Sequence, residues 1–421
     1  MTSILRTIKS ANSDVLKYII LTGLIGFSYF GLVVVLFNLY LLRLGYDTRF
    51  IGVANACMPT AFALTGIVSG ILGRKWGNKR TSALAILFLI LGVSLLPLTE
   101  YLASEIQQSA IISLRMLSGM GFSLFYINLL PYIVAATTPK ERVLIFSLQT
   151  ATGPAAGVLG ALFASFLPSI IAKILRTEIT SPLPFAYLLI FSGIILIPAI
   201  PMILTTRERL KKNTPETPER QINSLQPIII IILFLCLSAT LRTAGMEVTQ
   251  SFFNVYLEIV LNELPQRIGL IMAAGQLTAI PAALLSSYFV KYLGKVNGIV
   301  LATFLTGIGL VATIVSPHWL VAALGYAITV GSRTIVWTLL SVVQMEIVPP
   351  EIRGITSGSV GLCAGLGFGS MALIGGYLIP ILGFGNLYLI GAALSVLSAF
   401  IFWIYFRHPR GEYSSTKNLK I

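Results

Sequence analysis

Four ionisable residues stand inside long apolar runs: Arg115, Arg242, Glu247 and Arg333. A charge at the centre of a membrane helix costs about 2.5–3.5 kcal/mol, so together they cost roughly 10–14 kcal/mol unless they pair or face water. Residues kept at that cost handle protons, ions or charged solutes. In the run 227–258, Thr243, Glu247, Gln250 and Asn254 follow at intervals of four, three and four, which places all of them on one helical stripe. Arg242 lies five residues from Glu247, about 140° around the helix, so the two are poor intrahelical partners. In the run 319–347, Arg333, Trp337, Ser341 and Gln344 form a similar stripe.

Other chemistries find no support. The two histidines, His318 and His408, sit at the ends of apolar runs, and no nucleophile with a base or metal-ligand spacing accompanies them. Cys57, Cys236 and Cys363 form no CxxC pair and read as small core residues, not as a disulfide framework or zinc site. The run Gly365-Leu366-Gly367-Phe368-Gly369 lacks the strand and the Gly-Lys-Ser/Thr context of a nucleotide loop, and glycines every four residues suit close helix packing. We therefore expect no enzyme, no cofactor and no metal.

The elements that must carry these residues follow from composition. With 56% hydrophobic and 10% charged residues, 421 residues cannot make a water-facing surface. A bilayer core of about 30 Å takes roughly 20 apolar helical residues. Spans are predicted near 17–44, 50–73, 80–99, 109–136, 143–168, 184–205, 227–258, 268–292, 297–316, 319–347, 354–381 and 386–406. The first follows a basic start but is long and ends in no small-residue cleavage site, so it reads as a retained helix. With the N-terminus inside, 21 Lys and Arg fall in inner segments, five in outer ones and three within spans. That asymmetry places both termini in the cytoplasm. It also assigns the net charge of +14 to contact with lipid headgroups, so no nucleic acid is invoked.

The chain repeats itself. Phe37-Asn38-Leu39-Tyr40-Leu41 recurs as Phe253-Asn254-Val255-Tyr256-Leu257, offset by 216, and Ile51-Gly52 as Ile268-Gly269, offset by 217. Gly77 and Gly294, each in a basic loop, keep the offset of 217. The expectation is an all-α integral membrane protein of twelve transmembrane helices in two pseudo-symmetric six-helix halves, 1–204 and 227–406, with a cytoplasmic linker over 205–226 and a tail over 407–421.

Three local sequences resemble motifs of the major facilitator superfamily, and the resemblance covers essentially the whole chain. Gly70-Ile71-Leu72-Gly73-Arg74-Lys75-Trp76-Gly77-Asn78-Lys79-Arg80 is similar to the glycine-rich basic loop between helices 2 and 3 that latches the cytoplasmic ends of the halves. Arg115-Met116-Leu117-Ser118-Gly119-Met120-Gly121 resembles the helix 4 pattern of drug exporters, and Gly153-Pro154-Ala155-Ala156-Gly157 a helix 5 motif of antiporters. One position departs: the family's aspartate before the second glycine of the loop is Arg74 here, so its usual ion pair cannot form in the same way. The basic residues of this loop also suit plain positive-inside anchoring.

The resemblance implies a secondary transporter working by alternating access, with Gly70, Arg74, Gly77, Lys79, Arg80, Gly153, Pro154 and Gly157 in gating motifs. Helices 1, 4, 7 and 10 line the cavity in that family, which places Tyr29, Asn38, Arg115, Tyr126, Arg242, Glu247, Gln250, Asn254, Arg333 and Trp337 at or near a substrate and coupling site. The expectation is proton-coupled efflux of small amphiphilic or drug-like molecules by a monomer in the plasma membrane. Helices 1 and 4 lack the interior carboxylate that many such exporters carry. Symport of a small anionic metabolite, suited to three arginines, stays open, as does a non-transporting membrane sensor or partner-binding protein. Glu247 either pairs with Arg333 in one state and releases it in another, or forms a static ion pair. Arg115 either serves the site or snorkels to the interface.

Overall fold

The computed structural model describes residues 13–137, 139–207, 226–349 and 352–408. Within them the chain is helical, with no strand. The first unit contains α1 (Ser13–Arg43), α3 (Asn78–Ser94), α4 (Ser104–Ala136), α5 (Pro139–Leu175) and α6 (Leu183–Leu204). Between α1 and α3 runs α2 (Thr48–Trp76). The second unit contains α7 (Gln226–Ile259), α8 (265–293), α9 (295–314), α10 (Trp319–Glu346), α11 (353–382) and α12 (384–406).

Nine continuous helical stretches among the described residues are long and apolar enough to cross a membrane. Two of these are pairs of helices joined at Gly294 and Gly383, and α3, at 17 residues, is only just shorter than the rest. Among the described residues the membrane helices therefore number twelve. Side chains such as Ile67, Leu284 and Ile381 are more than 70% exposed along them, as a lipid-facing surface requires.

Three of the expected interhelical loops are single residues. Gly77, Gly294 and Gly383 take φ, ψ of 83°, 160°, then 76°, 165°, then 79°, 166°. Side chains other than hydrogen are excluded from this region, so glycine alone lets one helix stop and the next begin without a connecting segment. The predicted gaps 293–296 and 382–385 are thus corrected to one residue each. Elsewhere α3 ends at Ser94, short of the predicted 99, and gives way to a 3₁₀ turn, Pro97–Tyr101. α6 loosens into turns between Ile194 and Ala199, where Pro198 withholds a backbone N–H.

The chain divides into two compact units, one of Met1–Leu44 with Leu64–Arg220, the other of Gly45–Ala63 with Gln221–Ile421. In the second, the first half of α2 lies on α11 through small residues, and a Cβ on Gly52 would come within 2.7 Å of the Gly376 Cα. The interior of that unit is an apolar cluster that includes Ile231, Leu235, Val336, Leu339 and Phe402. Cys236 and Cys363, on α7 and α11, are both free thiols. Residues 208–225 of the expected linker and 409–421 of the tail lie outside the described residues.

Candidate functional site

In the first unit the site residues gather around Arg115. It is 5% exposed and turned inward, not snorkelled to the interface. Its Nη1 donates to Tyr29 Oη at 2.6 Å, and its guanidinium lies 4.3 Å from the centre of the Phe37 ring. A cation over an aromatic face regains part of the solvation lost on burial. Phe122 packs edge-on against Tyr29 at 4.5 Å and stacks with Tyr126 at 5.7 Å, which continues the aromatic wall along α4. Tyr29 sits within a π-helical stretch of α1, Gly26–Val33. The extra residue per turn in such a stretch re-aims the side chains it carries. Asn38, one turn beyond that stretch, is buried.

In the second unit the predicted stripe of α7 is inward-facing. Glu247 is 4% exposed, and Ser251, four residues on, donates its hydroxyl to Glu247 Oε1. Gln250 Oε1 accepts from Arg333 Nη1 at 2.5 Å. Thr243 is fully buried and donates to the Ala364 carbonyl of α11 at 3.0 Å. Asn254 is buried and accepts from the Val255 backbone N–H at 3.0 Å. Arg242, on another face, is 1% exposed. On α10, Trp337 is 56% exposed while Arg333 is half-buried, so the predicted stripe there is not buried along its length.

The motif residues have local explanations. Gly153, Gly157 and Gly160 of α5 meet Gly26 and Gly31 of α1 backbone to backbone; a Cβ on Gly31 would fall 2.8 Å from the Gly157 carbonyl oxygen. Pro154 points outward. Gly73 leaves room for Asn128 of α4, whose Nδ2 donates to the Ser69 carbonyl at 3.0 Å, and Gly70 packs on Ile127. Gly77 makes the turn described above. Arg74 and Arg80 are exposed, and Lys79 is half-buried.

Some features escaped the sequence reading. Arg115 and Arg333 stand 218 residues apart, in line with the repeat, at matching positions of α4 and α10. Gly45 and Asn262, 217 apart, both have positive φ, 82° and 54°, where α1 meets α2 and α7 meets α8. Ser251 was visible as the i+4 neighbour of Glu247; Phe37 was visible only as part of the repeat.

The sequence pattern of the Major Facilitator Superfamily matches residues 18–262 and 235–420. The chain belongs to this superfamily. Among solved structures of superfamily fold, the chain is similar to the nucleoside transporter NupG, in a mutant form, at 16% identity over 94% of this chain and 100% of that one, with a TM-score of 0.72. It is similar to a D-xylose-proton symporter at 17% identity over 93% and 97%, TM-score 0.71. It is also similar to the inward-open xylose transporter XylE from E. coli at 15% identity over 97% and 99%, TM-score 0.72. At these identities the likeness establishes the fold. No sequence among the curated proteins matches this one significantly. As a superfamily member the chain is a multi-pass membrane transporter and not an enzyme.

Proposed function

We propose that this chain is a proton-coupled secondary transporter that exports small amphiphilic molecules by alternating access, with Glu247 carrying the coupled proton. The observation that supports this reading most is the setting of Glu247. It is a carboxylate buried in the middle of a membrane helix, held by the Ser251 hydroxyl, while Arg333 of the same unit is engaged by Gln250. A carboxylate buried in a membrane helix can bind and release a proton as its surroundings change. Export is supported by the resemblance of the motifs around Arg115 and Gly153 to those of exporters, and an amphiphilic substrate by the aromatic wall of Tyr29, Phe122 and Tyr126. The same reading places a monomer in the plasma membrane with both termini in the cytoplasm.

A second reading, symport of a small anionic metabolite, is favoured by the excess of arginines over carboxylates within the spans. Relatives in fold include a nucleoside transporter and a proton–sugar symporter, so proton coupling with polar cargo occurs on this scaffold. Proteoliposomes with an internal pH dye separate the two. Amphiphiles that drive proton counterflow in wild type, and not in Glu247→Gln, support export. Anions that carry protons in their own direction support symport. Full pH-dependent transport by Glu247→Gln removes the role of Glu247.

A further inference from the structure

Arg242 lies near the middle of the membrane stretch of α7, which runs Ile228–Ile259. It is the largest of the fully buried side chains, and its Nε has no hydrogen-bond partner. None of the ion pairs among the described residues includes it. A guanidinium cannot shed its charge under physiological conditions, so a buried one needs acceptors from somewhere. Glu247 is on a different face of α7 and takes the Ser251 hydroxyl. Among the described residues, the other carboxylates of the unit, Asp47, Glu258, Glu263 and Glu346, sit at or beyond helix ends. Arg333, on α10, is turned to Gln250.

The stripe of α7 that carries Arg242 continues to Thr249, two turns further on. Its hydroxyl is also buried and has no partner. One turn in the other direction, Ser238 is occupied by Ser398 of α12, with the two hydroxyls 3.0 Å apart. The Arg242 Nε and the Thr249 hydroxyl are therefore both without a partner, and the backbone positions that carry them stand about 10 Å apart along one helix face, at 1.5 Å per residue.

We propose that Arg242 and Thr249 form a binding site for an anionic group, and that its ligand is a small organic carboxylate or phosphate carried as substrate. This rests on the transporter reading and narrows its amphiphilic substrates to anions.

The test uses the full chain in detergent, with thermal unfolding followed by tryptophan fluorescence at fixed ionic strength. Benzoate, succinate, inorganic phosphate and chloride are titrated separately. At least one is expected to raise the wild-type unfolding temperature saturably. Arg242→Gln is expected to lose that rise, and Arg242→Lys to need about tenfold more anion, because an ammonium lacks the bidentate fork. Without added anion, Arg242→Gln should unfold no lower than wild type, since it removes an uncompensated buried charge. A rise with benzoate, succinate or phosphate supports the site; a rise with chloride alone overturns the carboxylate or phosphate ligand. No rise in wild type, an unchanged rise in Arg242→Gln, or a large loss of stability in Arg242→Gln without anion overturns the site. Proton flux is read separately: flux without an anion-induced rise overturns only the anion site, and a rise without flux overturns only the proton coupling.

Discussion

Arg115 and Arg333 occupy matching places in the repeat, yet they are satisfied by different chemistry: a phenol and an aromatic face for one, a carboxamide for the other. The difference has a measurable consequence. Tyr29→Phe takes an acceptor from a guanidinium that is almost wholly buried, and such a loss costs about 1–3 kcal/mol. Gln250→Leu takes an acceptor from Arg333, which is half-buried and reaches water more readily, so its cost is expected to be the smaller of the two. Thermal unfolding of both variants in the same detergent checks the order; an equal or reversed order would show that burial does not govern these pairs. The identities of the charged residues were legible in the sequence because charges in apolar runs are rare. Their partners were not, since the choice between Glu247 and Gln250 as the acceptor for Arg333 depends on side-chain directions that spacing leaves undetermined.

At the scale of the element, hydropathy alone located the helices, because each must present about 20 apolar residues to lipid. Where they break was harder to read. The sequence holds 37 glycines, and those that end helices look the same as those that let helices touch. The structure separates them. Gly77, Gly294 and Gly383 hold a backbone conformation closed to other residues, so replacing Gly77 or Gly294 by Ala is expected to cost about 1–3 kcal/mol. Gly31 is helical but faces the α5 backbone, and Gly31→Leu is expected to separate α1 from α5 and lower the yield of monodisperse protein. Gly354 is helical with nothing within 4 Å of its missing Cβ, so Gly354→Ala is expected to stabilise by about 0.5–1 kcal/mol. Unfolding temperatures and size-exclusion profiles of the four variants test this sorting. If Gly354→Ala proves as harmful as Gly77→Ala, local conformation is not what distinguishes these glycines.

For the whole molecule, the repeat and the charge asymmetry carry the most information, and both were present in the sequence. Offsets of 216 to 218 recur in matching loops, matching arginines and matching positive-φ residues, as expected if six helices were used twice. An even number of helices returns the chain to the side on which it began. The choice of face rests on Lys and Arg, 21 in the segments assigned to the inside against five outside. Lys75 and Thr180 stand on opposite sides in this assignment and are both exposed. In a background with Cys57, Cys236 and Cys363 replaced, a membrane-impermeant maleimide applied to intact cells is expected to label Thr180→Cys and spare Lys75→Cys until the membrane is opened. The reverse pattern would invert the protein and exchange the inner and outer ends of the transport path.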